Sequence, residues 1–270
     1  MKGQIVRNNE LSLEYYTHGA GNQTLVCFHG HGRSVEDFYF LKSNNRKLIL
    51  IVLPHHGHSV FPENRTEKNP LTIHEFDALL RRILDKEKAA LIHFVGFSQG
   101  GRFALALIPF YGKRLLSVQL ISPDGMDYYS FYNRASRFKP ARLLFKKWES
   151  NPKLFIVCAK IGLKLRIIRP KVFSFIQLFA TNKTSFKRAS LTWRSFRNIQ
   201  PDLKAIKRTI EDNEIIFHII MGKYDQVIRT QQAKRFLHKL DMKASLIEIE
   251  CGHDFFKERN LFRLKKAINV

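Results

Sequence analysis

Apolar residues along this chain gather into short blocks separated by longer stretches of helical spacing. Six blocks stand out: Thr24–His29 (TLVCFH), Leu48–Leu53 (LILIVL), Leu91–Gly96 (LIHFVG), Leu115–Ile121 (LLSVQLI), Ile215–Met221 (IIFHIIM) and Ser245–Ile249 (SLIEI). Continuous runs of this length, more than strict alternations, predict strands covered on both faces, as in a parallel sheet. Two weaker segments, Gln4–Val6 and Leu11–Tyr16, fit an antiparallel edge. The gaps carry the helical period. Leu71–Asp85 opens with Thr72 and sets Ile73, Phe76, Leu79, Leu80 and Ile83 on one face, and Gln99–Ile108, Thr230–Leu240 and Asn260–Ile268 are further helices. Strand–helix alternation predicts an α/β fold with a mostly parallel central sheet flanked by helices.

The rhythm breaks between Pro123 and Arg208, where strands disappear and the text turns basic and helical. The expected organisation is therefore a core from residues 1–122 and 209–270, with 123–208 inserted as a helical cap. Charge sharpens this division. The chain carries 46 Lys and Arg against 23 Asp and Glu, a net +23, and Asn133–Arg208 holds twenty bases against only Glu149 and Asp202, or +18 of that total. Such local basicity predicts an anionic partner, or else only a solvated face. The segment FIVCAKIGLKLRIIRP mixes Ile, Leu and Phe with Lys160, Lys164, Arg166 and Arg169. That mixture suits an interfacial helix, a lid over a substrate, or a docking face for an anionic substrate or acidic carrier. No nucleic-acid recognition motif accompanies the charge, so no specific nucleic acid is expected.

With 270 residues and 44% hydrophobic content, the chain can bury a substantial core. Cys27, Cys158 and Cys251 are odd in number and far apart, so they offer neither a disulfide framework nor a metal clip. The opening residues lack the apolar run of a signal peptide, and the longest uncharged apolar candidate, Val172 to Asn182, is too short to span a bilayer. A reducing cytoplasm is the expected location.

The candidate chemistry starts in HFVGFSQGG, His93 to Gly101, where Ser98 stands between a strand and a helix with Gly96 and Gly100 two residues to either side. Gly-x-Ser-x-Gly in that context describes a tight turn that lifts the hydroxyl out of the sheet. The helix beginning at Gln99 turns free N–H groups toward whatever bonds to that oxygen. A serine hydroxyl needs a base, and the base needs an orienting acid. Asp225 follows the strand Ile215–Met221, and His253 follows the last strand, so parallel strands bring all three to one sheet edge.

Four motifs, HGHG (His29–Gly32), GFSQGG (Gly96–Gly101), GKYD (Gly222–Asp225) and GHDF (Gly252–Phe255), resemble those of the α/β-hydrolase fold over nearly the whole chain. The resemblance implies Ser98 as nucleophile, His253 as base and Asp225 as orienting acid, with an oxyanion hole from the backbone N–H groups of His31 and Gln99. One loop departs from the family's Asp-x-Pro-Gly-x-Gly-x-Ser turn and reads VLPHHGHS, with Val52 in place of Asp and His55 in place of Gly. Asp124, after the strand Leu115–Ile121, is a rival acid; Asp225 is preferred for its short gap to His253, while Asp254 beside His253 would point away. The histidines His29, His31, His55, His56 and His58 invite a metal reading, but carboxylates at matching positions are lacking. No metal and no cofactor is expected.

The leading expectation is a serine hydrolase acting on a small acyl ester or thioester. Two others stand beside it. GFSQGGR is similar to the elbow of the menaquinone-pathway synthase that eliminates pyruvate, where an Arg holds substrate carboxylates, and Arg102 occupies that position. The third is a non-catalytic binding protein on the same fold.

Overall fold

The computed structural model describes residues 3–126, 136–180, 182–242 and 244–268. The predicted edge forms as a hairpin: β1 (Gln4–Asn8) pairs antiparallel with β2 (Leu11–His18), which pairs antiparallel with β4 (Arg46–Ile51). The remaining strands, β3 (Gln23–Phe28), β5 (Ile92–Phe97), β6 (Leu115–Ile121), β7 (Ile216–Gly222) and β8 (Ser245–Ile249), run parallel to β4, giving the order β1-β2-β4-β3-β5-β6-β7-β8. This is the α/β sheet that the apolar blocks predict.

Two predicted strands keep their bounds to the residue, β6 and β8. The block Leu48–Leu53 overruns because apolar character continues past the ladder. Val52 and Leu53 are buried, but the Val52 N–H goes to the Glu14 carbonyl at 3.0 Å and the Leu53 N–H to His29 Nε2 at 3.0 Å. Hydrophobicity reports burial there, and loop ties replace strand pairing.

The chain divides into two compact units. The sheet unit comprises Met1–Phe61, Thr72–Asp127 and Ile199–Val270. Its core lies on both faces of the sheet: Leu25, Cys27, Leu48, Val95, Ile121 and Ile220 are fully buried on one, and Val26, Ile49, Phe94, Leu120 and Ile219 on the other. Around it, α2 (Ile73–Lys86) starts at a capping box: Thr72 Oγ1 accepts from the Glu75 N–H while Glu75 Oε2 accepts from the Thr72 N–H. The helix α3 (Gln99–Leu107) is buried on every side.

The helical unit comprises Pro62–Leu71 and Tyr128–Asn198. It contains α1 (Arg65–Lys68), α4 (Lys139–Trp148), α5 (Pro152–Lys164), α6 (Pro170–Ala180) and α7 (Lys183–Ser195). The boundaries differ at two places from the expected insert 123–208, part of which (127–135 and 181) lies outside the described residues. Residues 62–71 join the helical unit because Glu67 supplies carboxylate oxygens to Arg142 at 3.0 Å and to Arg194 at 3.2 Å. The segment 199–208 belongs to the sheet unit. There α8 (Leu203–Asp212), capped by Asp202, buries Ile206 and Ile210.

The stretch FIVCAKIGLKLRIIRP is not one continuous helix. It leaves the helix after Lys164, and Arg166 turns to φ +57°. Among the described residues, no helix is long and apolar enough to cross a membrane.

Candidate active site

Five neighbouring strands, β3, β5, β6, β7 and β8, deliver the site from their C-terminal ends. At the end of β5, Ser98 takes φ +49° and ψ −117°, a conformation that an L-residue adopts only under strain. Its N–H continues the ladder to the Ile121 carbonyl at 3.0 Å. Its carbonyl accepts from the Gly101 N–H at 2.9 Å and the Asp124 N–H at 2.8 Å. Close approach dictates the flanking glycines. A Cβ on Gly96 would stand 2.8 Å from the Gly101 Cα, and one on Gly100 would fall on the Phe28 carbonyl.

From β8, His253 reaches the serine: its Nε2 lies 3.1 Å from Ser98 Oγ. Its Nδ1 lies 2.6 Å from Asp225 Oδ2. A carboxylate only accepts, so Nδ1 carries the proton and Nε2 is left to take one from the serine hydroxyl. The Phe97 ring packs against the imidazole, with centroids 5.0 Å apart.

The Asp225 carboxylate is fully buried, and its oxygens are occupied in an ordered way. Oδ1 accepts from the backbone N–H groups of Val227 at 2.8 Å and Ile228 at 3.0 Å. Besides the imidazole, Oδ2 takes the hydroxyl of Ser122 at 2.6 Å. Sequence reasoning missed Ser122. It follows β6 directly, is wholly buried and holds φ +40°, while its N–H bonds the Ile220 carbonyl at 2.8 Å. The available signal is a serine opening the turn SPDG directly after β6, which attracts no attention without the neighbouring strand in view.

The loop after β3 runs against the serine: a Cβ on Gly30 would sit 3.3 Å from Ser98 Cβ. His31 is the next residue, and on the other side Gln99 opens α3, where the first N–H groups have no intrahelical partner. Gln99 is itself buried.

The histidine cluster ties loops together. His29 Nδ1–H donates to the Gly30 carbonyl at 2.7 Å, and its Nε2 accepts from Leu53. His56 Nδ1–H donates to the Pro54 carbonyl at 3.1 Å, and its Nε2 accepts the Gly32 N–H at 2.9 Å. Each ring thus acts as donor and acceptor at once, as a neutral imidazole does, and together they pin HGHG to VLPHHGHS. Beneath that second loop lies Glu14. Burial pushes its carboxyl up, but hydrogen bonds from the His58 N–H and ring and from Tyr16 outweigh this and hold it below the usual range.

The rival residues stand elsewhere. Asp124 Oδ2 bonds Arg102 Nη2 at 2.6 Å and its Oδ1 accepts from Gly125. The side chain of Arg102 is only 6% exposed, so this guanidinium is engaged inside the protein. Asp254 accepts from Gly252 and Arg259. Of the candidates, the structure brings Ser98, His253 and Asp225 into one hydrogen-bonded line and leaves Asp124 and Asp254 out of it.

Residues 23–260, which include all three, match the family described as alpha/beta hydrolase fold. MGS-M2, an alpha/beta hydrolase enzyme from a Medee basin deep-sea metagenome library, superposes with a TM-score of 0.68 at 15% identity, over 98% of this chain and 95% of that one. A hydrolase from Pseudomonas aeruginosa gives 0.64 at 17% identity over 96% and 95%. In sequence, the dihydrolipoyllysine-residue acetyltransferase component of the acetoin cleaving system of Cupriavidus necator is 27% identical over 118 residues. That match covers 43% of this chain and 30% of the relative, under a third of its length. The extent of the family match, the strand order and the strained elbow lead to one conclusion: this chain belongs to the α/β-hydrolase fold family.

Proposed function

We propose that the protein is a serine hydrolase that cleaves an acyl ester or thioester through an acyl-enzyme. One observation carries the reading: the line Ser98 Oγ, His253 and Asp225, with spacings of 3.1 and 2.6 Å, on a serine strained at a helix N-terminus. As Ser98 Oγ bonds to the substrate carbonyl carbon, its proton passes to His253 Nε2. Asp225 stabilises the imidazolium so formed. The oxyanion would be held by the N–H groups of Gln99 and His31. Collapse expels the alcohol or thiol, which takes the proton from His253. Water then repeats the cycle on the acyl-enzyme and frees the acid. No cofactor enters this scheme.

The pyruvate-eliminating alternative asks Arg102 for a substrate carboxylate, and its pairing with Asp124 speaks against that role. A binding protein needs none of the three aligned groups. The basic stretch favours an anionic acyl substrate, whose rate at limiting concentration would fall with added salt. A fluorophosphonate probe should label the protein covalently, and Ser98→Ala should abolish labelling and lower ester turnover by about 10⁴-fold or more. Undiminished labelling of the variant would overturn the reading.

A further inference from the structure

The helical unit exposes apolar residues in an order that calls for a partner. On α5 and the turn after it, Leu154 is 51% exposed, Val157 52%, Ile161 55%, Leu165 63% and Ile167 70%. At about 100° per residue, Leu154, Val157, Ile161 and Leu165 fall within an arc of about 80°. Phe155 and Ala159, which are buried, lie on the opposite flank and fasten the helix to its own unit. Lys153, Lys160 and Lys164, all exposed, form a ridge along one border of the stripe. The helix is therefore apolar on two faces, one packed inward and one outward, with ammonium groups beside the outward one.

We propose that this face of α5 docks on an anionic lipid bilayer. A bilayer offers both halves of the match in one surface: acyl chains for the aliphatic stripe and anionic headgroups for lysines whose stems lie along it. An acidic carrier protein would satisfy the ridge but would need an apolar face of its own matched to the four aliphatic side chains, which a bilayer offers anywhere on its surface. The helical unit, with seventeen Lys and Arg against Glu149 in residues 128–198 and no net charge in 62–71, adds long-range attraction to the same kind of surface. The proposal is independent of the hydrolase reading, since vesicle binding needs no turnover.

The chain supplies its own probe. Cys158 is exposed at the other border of the stripe, while Cys27 and Cys251 are buried, so a thiol-reactive environment-sensitive dye labels this helix selectively. With vesicles of phosphatidylcholine and phosphatidylserine at 0.1 M salt, the dye emission should rise and shift to the blue. Pure phosphatidylcholine should give at least ten-fold weaker binding, and 1 M salt, where the Debye length is about 3 Å, should reverse most of the signal. Each lysine near such a surface is worth about five-fold in partitioning, so Lys153→Gln, Lys160→Gln and Lys164→Gln together should cost about a hundred-fold. Val157→Gln with Ile161→Gln should cost at least ten-fold on the anionic vesicles themselves, and Leu165→Gln with Ile167→Gln, beyond the helix, should act in the same direction. Both pairs should leave the emission of Trp148 and Trp193 and hydrolysis of a short soluble ester unchanged. The proposal is overturned by equal binding to neutral vesicles, or by stripe variants that bind like the parent. Self-association in sedimentation velocity that the stripe variants abolish, without vesicle binding, would make a second copy the occupant. A dye shift with a purified acidic acyl carrier protein and none with vesicles would make it a protein.

Discussion

The two units of this molecule handle charge and hydrophobicity in opposite ways. In the sheet unit, strands covered on both faces bury Leu25, Val26, Val95, Leu120 and Ile219 completely, and the chemistry-bearing polar groups collect at one edge. In the helical unit, charge goes inside: Arg194, 2% exposed, binds Glu149 at 2.6 Å, Glu67 at 3.2 Å and Thr66 Oγ1 at 3.0 Å. Arg197 donates to the main-chain oxygens of Thr66, Glu67 and Arg194. Phe145, Trp148, Phe155, Phe186 and Trp193 form the aromatic packing beside this network. Meanwhile Leu154, Val157 and Ile161 face out. A small unit has too little interior to cover all its apolar surface. A buried ion network holds a unit together only while every partner is present, whereas an apolar core tolerates graded losses. The first unit should therefore fail in function when one polar group changes, and the second in stability.

The largest effect expected belongs to the sheet unit. Asp225→Asn keeps the shape of the site but removes the acceptor that fixes the imidazole tautomer, so kcat/KM on an activated ester should fall by about 10⁴-fold. Asp124→Asn leaves Arg102 without its carboxylate and should reduce thermal stability while changing the rate by less than about ten-fold. Equal rate losses in the two variants would erase the distinction between the Asp225 and Asp124 positions.

In the helical unit, Glu67→Gln strips two arginines of a partner. Breaking a buried pair costs about 3–5 kcal/mol, and the 22% exposure of Glu67 puts the expected loss toward the lower end of that range. The chain's two tryptophans, Trp148 and Trp193, both lie in this unit, so indole emission during urea unfolding reads it directly. Fluorophosphonate labelling of Ser98 reads the sheet unit in the same samples. The emission transition should move to lower urea while labelling persists; loss of both together would mean that the units unfold as one. Acid should do the same to the parent protein. Burial raises the Glu67 carboxyl, but its bonds to Arg142 and Arg194 prevail and hold it below the ordinary value of 4.5. Because the folded value is depressed, this contribution is whole above pH 4.5 and is lost as pH falls through the lowered value.

The same contrast explains what the sequence makes legible. Parallel strands covered on both faces leave continuous apolar runs, so the sheet, the serine turn and the loops of Asp225 and His253 can be read from pattern and order. The arginine network leaves no such trace. Twenty bases against Glu149 and Asp202 read as charge turned toward a partner or solvent, and nothing in the stretch shows that some of it is buried, because Glu67 lies far upstream of the arginines it binds. Likewise the tie between HGHG and VLPHHGHS cannot be read from either motif: His29 and His56 each accept a backbone N–H of the facing loop at Nε2 while Nδ1–H donates to a carbonyl of their own loop. Pairings between distant segments are a property of the fold, and composition does not carry them.

Ser122 sharpens the contrast from within the sheet unit, with the smallest expected effect. Its hydroxyl and the imidazole share Asp225 Oδ2, each at 2.6 Å, so the serine takes part of the negative charge that would otherwise face His253 alone. In Ser122→Ala the carboxylate loses that donor and holds a protonated imidazole more tightly. The acid limb of the kcat/KM profile should then move to higher pH. A hydrogen bond to a charged group is worth roughly 1.5–3 kcal/mol, and only the share that differs between ground and transition states enters the rate. The plateau should therefore change by about ten-fold or less. Because Ser122 holds φ +40°, a loss in the alanine variant has a rival cause in backbone strain. Ser122→Gly separates the two, since glycine adopts that φ without penalty and still lacks the hydroxyl. If the hydroxyl sets the acid, both variants shift the limb alike and differ only in stability, with glycine the more stable. A glycine variant with the parent's pH profile would show that Ser122 serves the turn and leaves Asp225 unaffected.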